Sequence, residues 1–186
     1  MKFTGERVVP KDMPTTSRTL AEHLERYNFV LPYVKNRSVL DAACGSGYGS
    51  KIIKVLGGAR SVFGVDVDLE TVQYARGEYQ VEASTYDLES QFPNGDYEVI
   101  VSFETIEHLE NPDFFLSQCA LHFKKFIFSI PLDNPSKFHK QVYSLTQARE
   151  LIQKYFQRVL WYSQTYTEIK QLTNQHPTFL VGVAFN

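Results

Sequence analysis

The chain has 186 residues, 43% of them hydrophobic, enough for one domain with a sizeable core and too apolar for wholesale disorder. A formal charge of −2 excludes a bulk polycation that holds nucleic acid by charge alone. Two cysteines exclude a disulfide framework or cysteine-rich zinc site, and the sequence has no membrane-length apolar run or signal-peptide core, so a cytoplasmic protein without a membrane partner is expected.

Residues 1–17 read as irregular, with Pro10 and Pro14. Leu20, Leu24, Tyr27, Leu31 and Val34 then recur every three or four residues, as on a helix. Ser38–Ala43 reads as a strand, followed by glycines and an amphipathic helix through Ile52, Ile53 and Leu56 that Gly57 and Gly58 stop. Ser61–Asp66 is a second strand, and Asp68 caps a helix carrying Leu69, Val72 and Ala75. Tyr79–Tyr86 reads as a short third strand and Tyr97–Phe103 as a fourth, with a turn at Pro93–Asp96 between them. Asn111 and Pro112 open a helix that buries Phe115, Leu116, Cys119 and Ala120. Phe126–Ile130 is a fifth strand, and Ser144 with Gln147 forms a capping box for a helix through Ala148, Leu151, Ile152 and Tyr155.

Two strands, near Gln157–Thr167 and Thr178–Phe185, close the chain with no helix between them. The alternation predicts an α/β protein with a doubly wound, mostly parallel, seven-stranded sheet, ending in an antiparallel hairpin at its edge. One domain spans 1–186, with an N-terminal lid and helix over 1–37 and the α/β core over 38–186.

Charge is unevenly distributed. Residues 66–113 hold 13 acidic side chains and one basic, Arg76, whereas residues 114–186 hold 8 basic and 3 acidic. The acidic segment reads either as solvated loops or as a place for hydroxyls, a cation or a cationic ligand; the basic excess reads as a solvated face or a hold for an anionic substrate.

The strongest local signal is the run from Val39 through Asp41, Cys44, Gly45, Gly47 and Gly49. A buried strand runs into a carboxylate, then a glycine loop, then a helix. Glycine lets a ligand touch bare backbone, and in an open parallel sheet such turns lie at the strands' carboxyl ends, where ligands bind. Asp66 ends the next strand, 19 residues after Gly47, where a carboxylate can accept two hydrogen bonds from a ribose diol. A nicotinamide fingerprint wants glycine where Ser50 stands, and Asp41 would repel a pyrophosphate but suit an ammonium or sulfonium group. That pattern favours S-adenosylmethionine and leaves a dehydrogenase as a distant reading.

At these residues the sequence resembles class I S-adenosylmethionine-dependent methyltransferases, small-molecule branch, with Ala43 where many members have glycine. Residues 64–68 resemble the second motif, Tyr86-Asp87-Leu88 the adenine segment, and residues 102–109 the stretch after strand four. Ala120–Lys125 replaces the family's proline–glycine–glycine-type turn and shortens that loop. The resemblance implies that Gly45, Gly47 and Ala43 give backbone room to the methionine part and that Asp41 sits near its amino group. It also implies that Asp66 binds the ribose hydroxyls, Val67 packs on the adenine, Asp87 and Leu88 flank the adenine edge, and Phe103 lines the methionine side. In the family the segment before strand one folds over the cofactor; Arg26 would then meet the methionine carboxylate and Tyr27 would cover the site.

Past strand four, Glu104, Glu107 and His108 share a face if the segment makes one helical turn, and His139 follows strand five. Two carboxylates and two imidazoles suit a divalent cation, Mg2+ or Mn2+, with positions open to substrate oxygens. The cluster resembles the Glu-x-x-Glu-His site of metal-dependent methyltransferases, including ubiquinone-pathway O-methyltransferases and small-RNA 2′-O-methyltransferases. The competing reading needs no metal: His108 or His139 acts as base and Glu107 as a capping or supporting acid.

The resulting expectation is an O-methyltransferase acting on a small-molecule hydroxyl, of a sugar or phenol, as a monomer or homodimer. Its rivals are an RNA-end 2′-O-methyltransferase, which should bring a basic channel, and a cofactor-binding module without catalysis. Trp161, Tyr162 and Tyr166 alternate near the end of the chain and read as packing, since a base-stacking platform would interleave them with basic residues.

Overall fold

The computed structural model describes residues 7–122, 124–173 and 176–185. Eight strands form one mixed sheet: β1 (Ser38–Ala42), β2 (Ser61–Asp66), β3 (Glu82–Thr85), β4 (Val99–Phe103), β5 (Lys125–Pro131), β6 (Arg158–Thr165), β7 (Glu168–Gln171) and β8 (Phe179–Phe185). Their spatial order is β3-β2-β1-β4-β5-β8-β6-β7. The first five run parallel and the last three antiparallel. Five helices accompany them: α1 (Arg18–Val34), α2 (Tyr48–Val55), α3 (Leu69–Tyr79), α4 (Asp113–His122) and α5 (Leu145–Gln153). Among the described residues no helix is long and apolar enough to cross a membrane.

β1 and β4 are buried at every position, as central parallel strands covered on both faces must be. On one face Phe115, Leu116, Ile152 and Phe156 of the α4–α5 side pack on Phe126, Phe128 and Ile130 of β5. On the other, Val30 and Val34 of α1 and Ile53 of α2 pack on Val39, Val101, Ile127 and Val183. The caps follow the sequence. Ser17 accepts from Leu20 N, Asp68 accepts from Glu70 N and Thr71 N, and Ser144 with Gln147 completes its capping box.

Three expectations are corrected. The sheet has eight strands, not seven. Glu168–Gln171 pairs with β6 through a two-residue turn in which Tyr166 has φ 56°; its charged, exposed pattern suits an edge strand and hides it from a hydrophobicity reading. The closing pair β6 and β8 is antiparallel but does not form the edge, because β8 inserts between β5 and β6 and β7 takes the edge instead. The third strand is shorter than Tyr79–Tyr86, since α3 continues through Tyr79 until Gln80 adopts a left-handed cap. The shortened loop before β5 runs from the end of α4 at His122 to Lys125, and Phe123 in it lies outside the described residues.

Candidate active site

A cavity of about 820 Å3 opens over the carboxyl ends of β1, β2, β4 and β5, within the range of small-molecule sites. One wall is the glycine turn. Ala43, Gly45 and Gly47 have φ of 60°, 56° and 87°, so the chain makes repeated left-handed steps before α2 starts. At Gly47 a Cβ would lie 2.5 Å from Ala75 Cβ, which adds a packing reason for glycine. At Gly49 it would fall 1.9 Å from the Tyr27 ring, so the missing side chain lets Tyr27 lie on the start of α2.

Asp41 lies under the turn, 1% exposed, and does not line the cavity. Ser50 Oγ donates to Asp41 Oδ2 at 2.6 Å and Tyr27 Oη to Oδ1 at 3.5 Å. Burial pushes the Asp41 carboxyl up to about 7, against the pull of those two bonds. Ser50, where a nicotinamide-type turn would carry glycine, is thus the residue that holds Asp41. Asp66 ends β2 at the cavity wall. Its Oδ2 accepts from Gly45 N at 3.1 Å; its Oδ1 accepts from Asp68 N at 3.0 Å and from Arg7 Nη2 at 3.1 Å. The wall continues through Val67, which is 60% exposed, and through Tyr86, Asp87 and Leu88. Asp87 accepts from Glu89 N and Ser90 Oγ, fixing its own turn.

α1 forms the roof. Thr19, His23 and Tyr27, four residues apart, face the cavity, and Tyr48 Oη lies 3.1 Å from His23 Nδ1. Burial and the nearby Arg26 charge hold His23 well below the ordinary histidine value, so the ring is neutral. Tyr27 packs edge-on against both Tyr48 and Phe103. Arg26 is fully buried and is not part of the cavity lining, but lies directly behind it at Glu104. Its Nη1 donates to Gln164 Oε1 at 2.8 Å, its guanidinium lies 4.5 Å from the Phe179 ring centre, and Nη2 is 3.5 Å from Glu104 Oε1. One residue's 100° step around the helix separates it from Tyr27, so the two side chains leave α1 in different directions.

The opposite wall follows β4. Glu104 takes φ 52°, unusual for a residue with a Cβ, and its N–H donates to Ser129 Oγ. A 3-10 turn at Ile106–His108 buries Glu107, whose two carboxylate oxygens find no hydrogen-bond partner. Burial, and then the Glu104 charge, raise Glu107 well above the usual carboxylate range. The His108 ring Nδ1 lies 3.0 Å from the Phe138 carbonyl, and the His139 Nδ1 lies 2.9 Å from the Asn134 carbonyl. Since a carbonyl only accepts, each Nδ1 carries the hydrogen, which leaves Nε2 as the ring atom that can take part in chemistry; His108 Nε2 lies 3.8 Å from Glu107 Oε1. The rings stand edge-on with centroids 5.0 Å apart. The Glu107 backbone carbonyl accepts from Lys140 N and Gln141 N, pinning the His139 loop to the His108 turn. Ligand atoms of Glu107, His108 and His139 lie within 4.8 Å of one another. Glu104, expected with them, lies outside that 4.8 Å grouping but close enough for its charge to act on Glu107; its carboxylate meets Ser129 Oγ and Arg26 Nη2.

A methyltransferase-domain family matches residues 16–179, nearly the whole described chain. The chain belongs to that family. It carries a methyltransferase domain. A Mycobacterium tuberculosis protein named "Probable S-adenosylmethionine-dependent methyltransferase" is 35% identical over 122 residues, 64% of this chain and 43% of that protein. The chain thus aligns with less than half the length of that curated relative. Among solved structures, a protein of Pyrococcus horikoshii OT3 superposes with a TM-score of 0.72 at 18% identity over 100% of both chains. A TehB-like S-adenosylmethionine-dependent methyltransferase of Corynebacterium glutamicum gives 0.71 at 16% identity over 87% of each. At such identities these two share the fold.

In this methyltransferase domain Ala43, Gly45, Asp66, Val67, Asp87, Leu88, Phe103 and Tyr27 line one cavity together with Glu104, His108 and His139. Asp41, Gly47, Glu107 and Arg26 are buried behind that lining. The sequence reading noted His23 on a face with Arg26 and Tyr27 without assigning it to the site, and missed Arg7, Val8, Thr19 and Tyr48; His23 and these four also line the cavity. Thr19 and His23 were legible as the residues eight and four before Tyr27 on the same helix face. The placement of Arg7, 59 residues from Asp66, had no local signal. Residues 7–13 of the expected lid run beside the glycine turn, where Ser46 Oγ donates to the Val8 carbonyl at 2.7 Å; residues 1–6 lie outside the described residues.

Proposed function

We propose that this methyltransferase transfers the S-adenosylmethionine methyl group to a hydroxyl of a small molecule, a sugar or phenol. The observation that carries the reading is the pair of imidazoles, each anchored through Nδ1 to a backbone carbonyl, across the same cavity from the Asp66 carboxylate. Asp66 binds the ribose diol, Val67 packs on the adenine, and Asp87 and Leu88 flank its edge. The bare backbone at Ala43, Gly45 and Gly47 receives the methionine part. Asp41 supplies negative charge beneath the ammonium and sulfonium, while Phe103 and Tyr27 exclude water beside the methyl group.

The acceptor oxygen attacks the methyl carbon as the carbon–sulfur bond breaks, and the bonding pair leaves with sulfur, giving S-adenosylhomocysteine. The hydroxyl proton passes to Nε2 of His108 or His139. Acidic residues Asp66, Asp87, Glu89, Glu104 and Glu110 dominate the cavity rim and floor. They would repel a polyanionic strand, which favours a small acceptor over RNA.

The residues also fit a divalent cation. Glu107 is a buried carboxylate without a hydrogen-bond partner, and both histidines donate Nδ1–H to carbonyls, as metal-bound histidines do. Glu107, His108 and His139 would hold it. When bound, the cation would lower the acceptor hydroxyl's pKa.

The test is S-adenosylhomocysteine release with panels of sugar and phenolic acceptors, with and without chelator, for the parent, His108→Ala and His139→Ala. At least one substitution should cost about 100-fold or more. Chelator-sensitive turnover restored by magnesium or manganese supports the cation, and insensitivity supports the base alone. Full activity in both variants would overturn both histidine roles.

A further inference from the structure

Asp66 is already engaged by the N-terminal segment, and the contacts can be counted. A carboxylate offers about four lone-pair positions. Three of those on Asp66 are taken: Gly45 N on Oδ2, and Asp68 N and Arg7 Nη2 on Oδ1. A ribose diol brings two hydroxyl donors and needs two positions. The two amides belong to the glycine turn and the β2–α3 turn, and cannot withdraw without dismantling them. Arg7 is a side chain, 22% exposed, and can swing away.

The backbone that delivers it is fixed independently. Val8 and Val9 are buried, the Val8 carbonyl accepts from the fully buried Ser46, and Lys11 reaches Glu78 on α3. The guanidinium is therefore presented to Asp66 by an anchored segment, and a change of its rotamer frees that carboxylate position.

We propose that Arg7 is an intramolecular competitor for the ribose site, a latch on Asp66 that the cofactor's diol must displace. This rests on the reading that Asp66 binds the ribose. It follows that cofactor affinity is set as a difference between the diol and Arg7 on one carboxylate. Contacts or modifications that draw the N-terminal segment away from Asp66 would raise that affinity.

The experiment is calorimetric titration of the full chain, Arg7→Met and Asp66→Asn with S-adenosylhomocysteine and with its 2′,3′-dideoxy analogue. Arg7→Met should bind S-adenosylhomocysteine about 3- to 30-fold more tightly, the scale of one part-buried charge-assisted bond, and should gain nothing for the dideoxy analogue. Equal gains for both ligands would overturn the latch. So would unchanged or weaker binding in Arg7→Met alongside weaker binding in Asp66→Asn, because Arg7 would then assist the ligand. If Asp66→Asn binds as tightly as the parent, the ribose reading itself falls and takes the latch with it.

Discussion

Replacing Asp66 by asparagine keeps the shape of the side chain and removes its charge. In the parent, the two carboxylate oxygens face two different backbone donors, Gly45 N and Asp68 N. An asparagine has one oxygen and one NH2 group, so whichever way it flips, its NH2 confronts one of those amides. Leaving a largely buried N–H unpaired costs about 1–3 kcal/mol of stability. In a domain of this size that lowers Tm by about 2–4 °C per kcal/mol, hence about 2–12 °C.

The cofactor loses more. Each ribose hydroxyl bond to the carboxylate is charge-assisted and contributes about 1.5–3 kcal/mol; an amide oxygen retains part of one. A net loss of about 2–4 kcal/mol weakens S-adenosylmethionine binding roughly 30- to 1000-fold. Thermal unfolding and titration calorimetry measure the two effects separately. A lowered Tm with Kd unchanged to within about threefold would refute the ribose assignment while leaving the structural account intact.

Two further predictions concern the floor of the site. Because Asp41 titrates near 7 in the unliganded protein, and an adjacent ammonium or sulfonium favours its ionised form, cofactor binding should expel a proton. Affinity should then rise about tenfold per pH unit up to about 7 and level off above it, and Asp41→Asn should abolish the proton release seen by calorimetry in buffers of different ionisation enthalpy. The same raised value has a stability cost of definite sign: the unliganded fold should lose stability between the unfolded carboxyl value near 3.9 and about 7, and no more beyond. Gly49→Ala places a methyl group inside the Tyr27 ring, so it should cost about 1–3 kcal/mol in denaturant unfolding and weaken cofactor binding; an unaltered midpoint would show that Tyr27 has room to move.

Local chemistry made the order of elements legible. The burial of β1, the caps at Ser17, Asp68 and Ser144, and the left-handed demands at Gly45 and Gly47 all arise within a few residues of one another. Such short-range steric and hydrogen-bonding preferences are written in the sequence, and so was the pairing of the glycine turn with Asp66, because both sit at ends of adjacent strands. Tertiary structure decided what depends on long-range placement. The polar strand β7 gains its place only because β6 offers an unpaired edge. Glu104 lies outside the tight Glu107, His108 and His139 grouping and meets Arg26, 78 residues earlier, a pairing only the packed fold creates. Arg26 and Tyr27 are neighbours in sequence, yet Tyr27 meets the cavity and Arg26 meets Gln164, Phe179 and Glu104, because the packing of α1 fixes which side of the helix is buried where. Arg7 reaches Asp66 only when the whole sheet is assembled. Residue type and spacing named the chemistry available; the packing of distant segments chose which of those groups share a cavity.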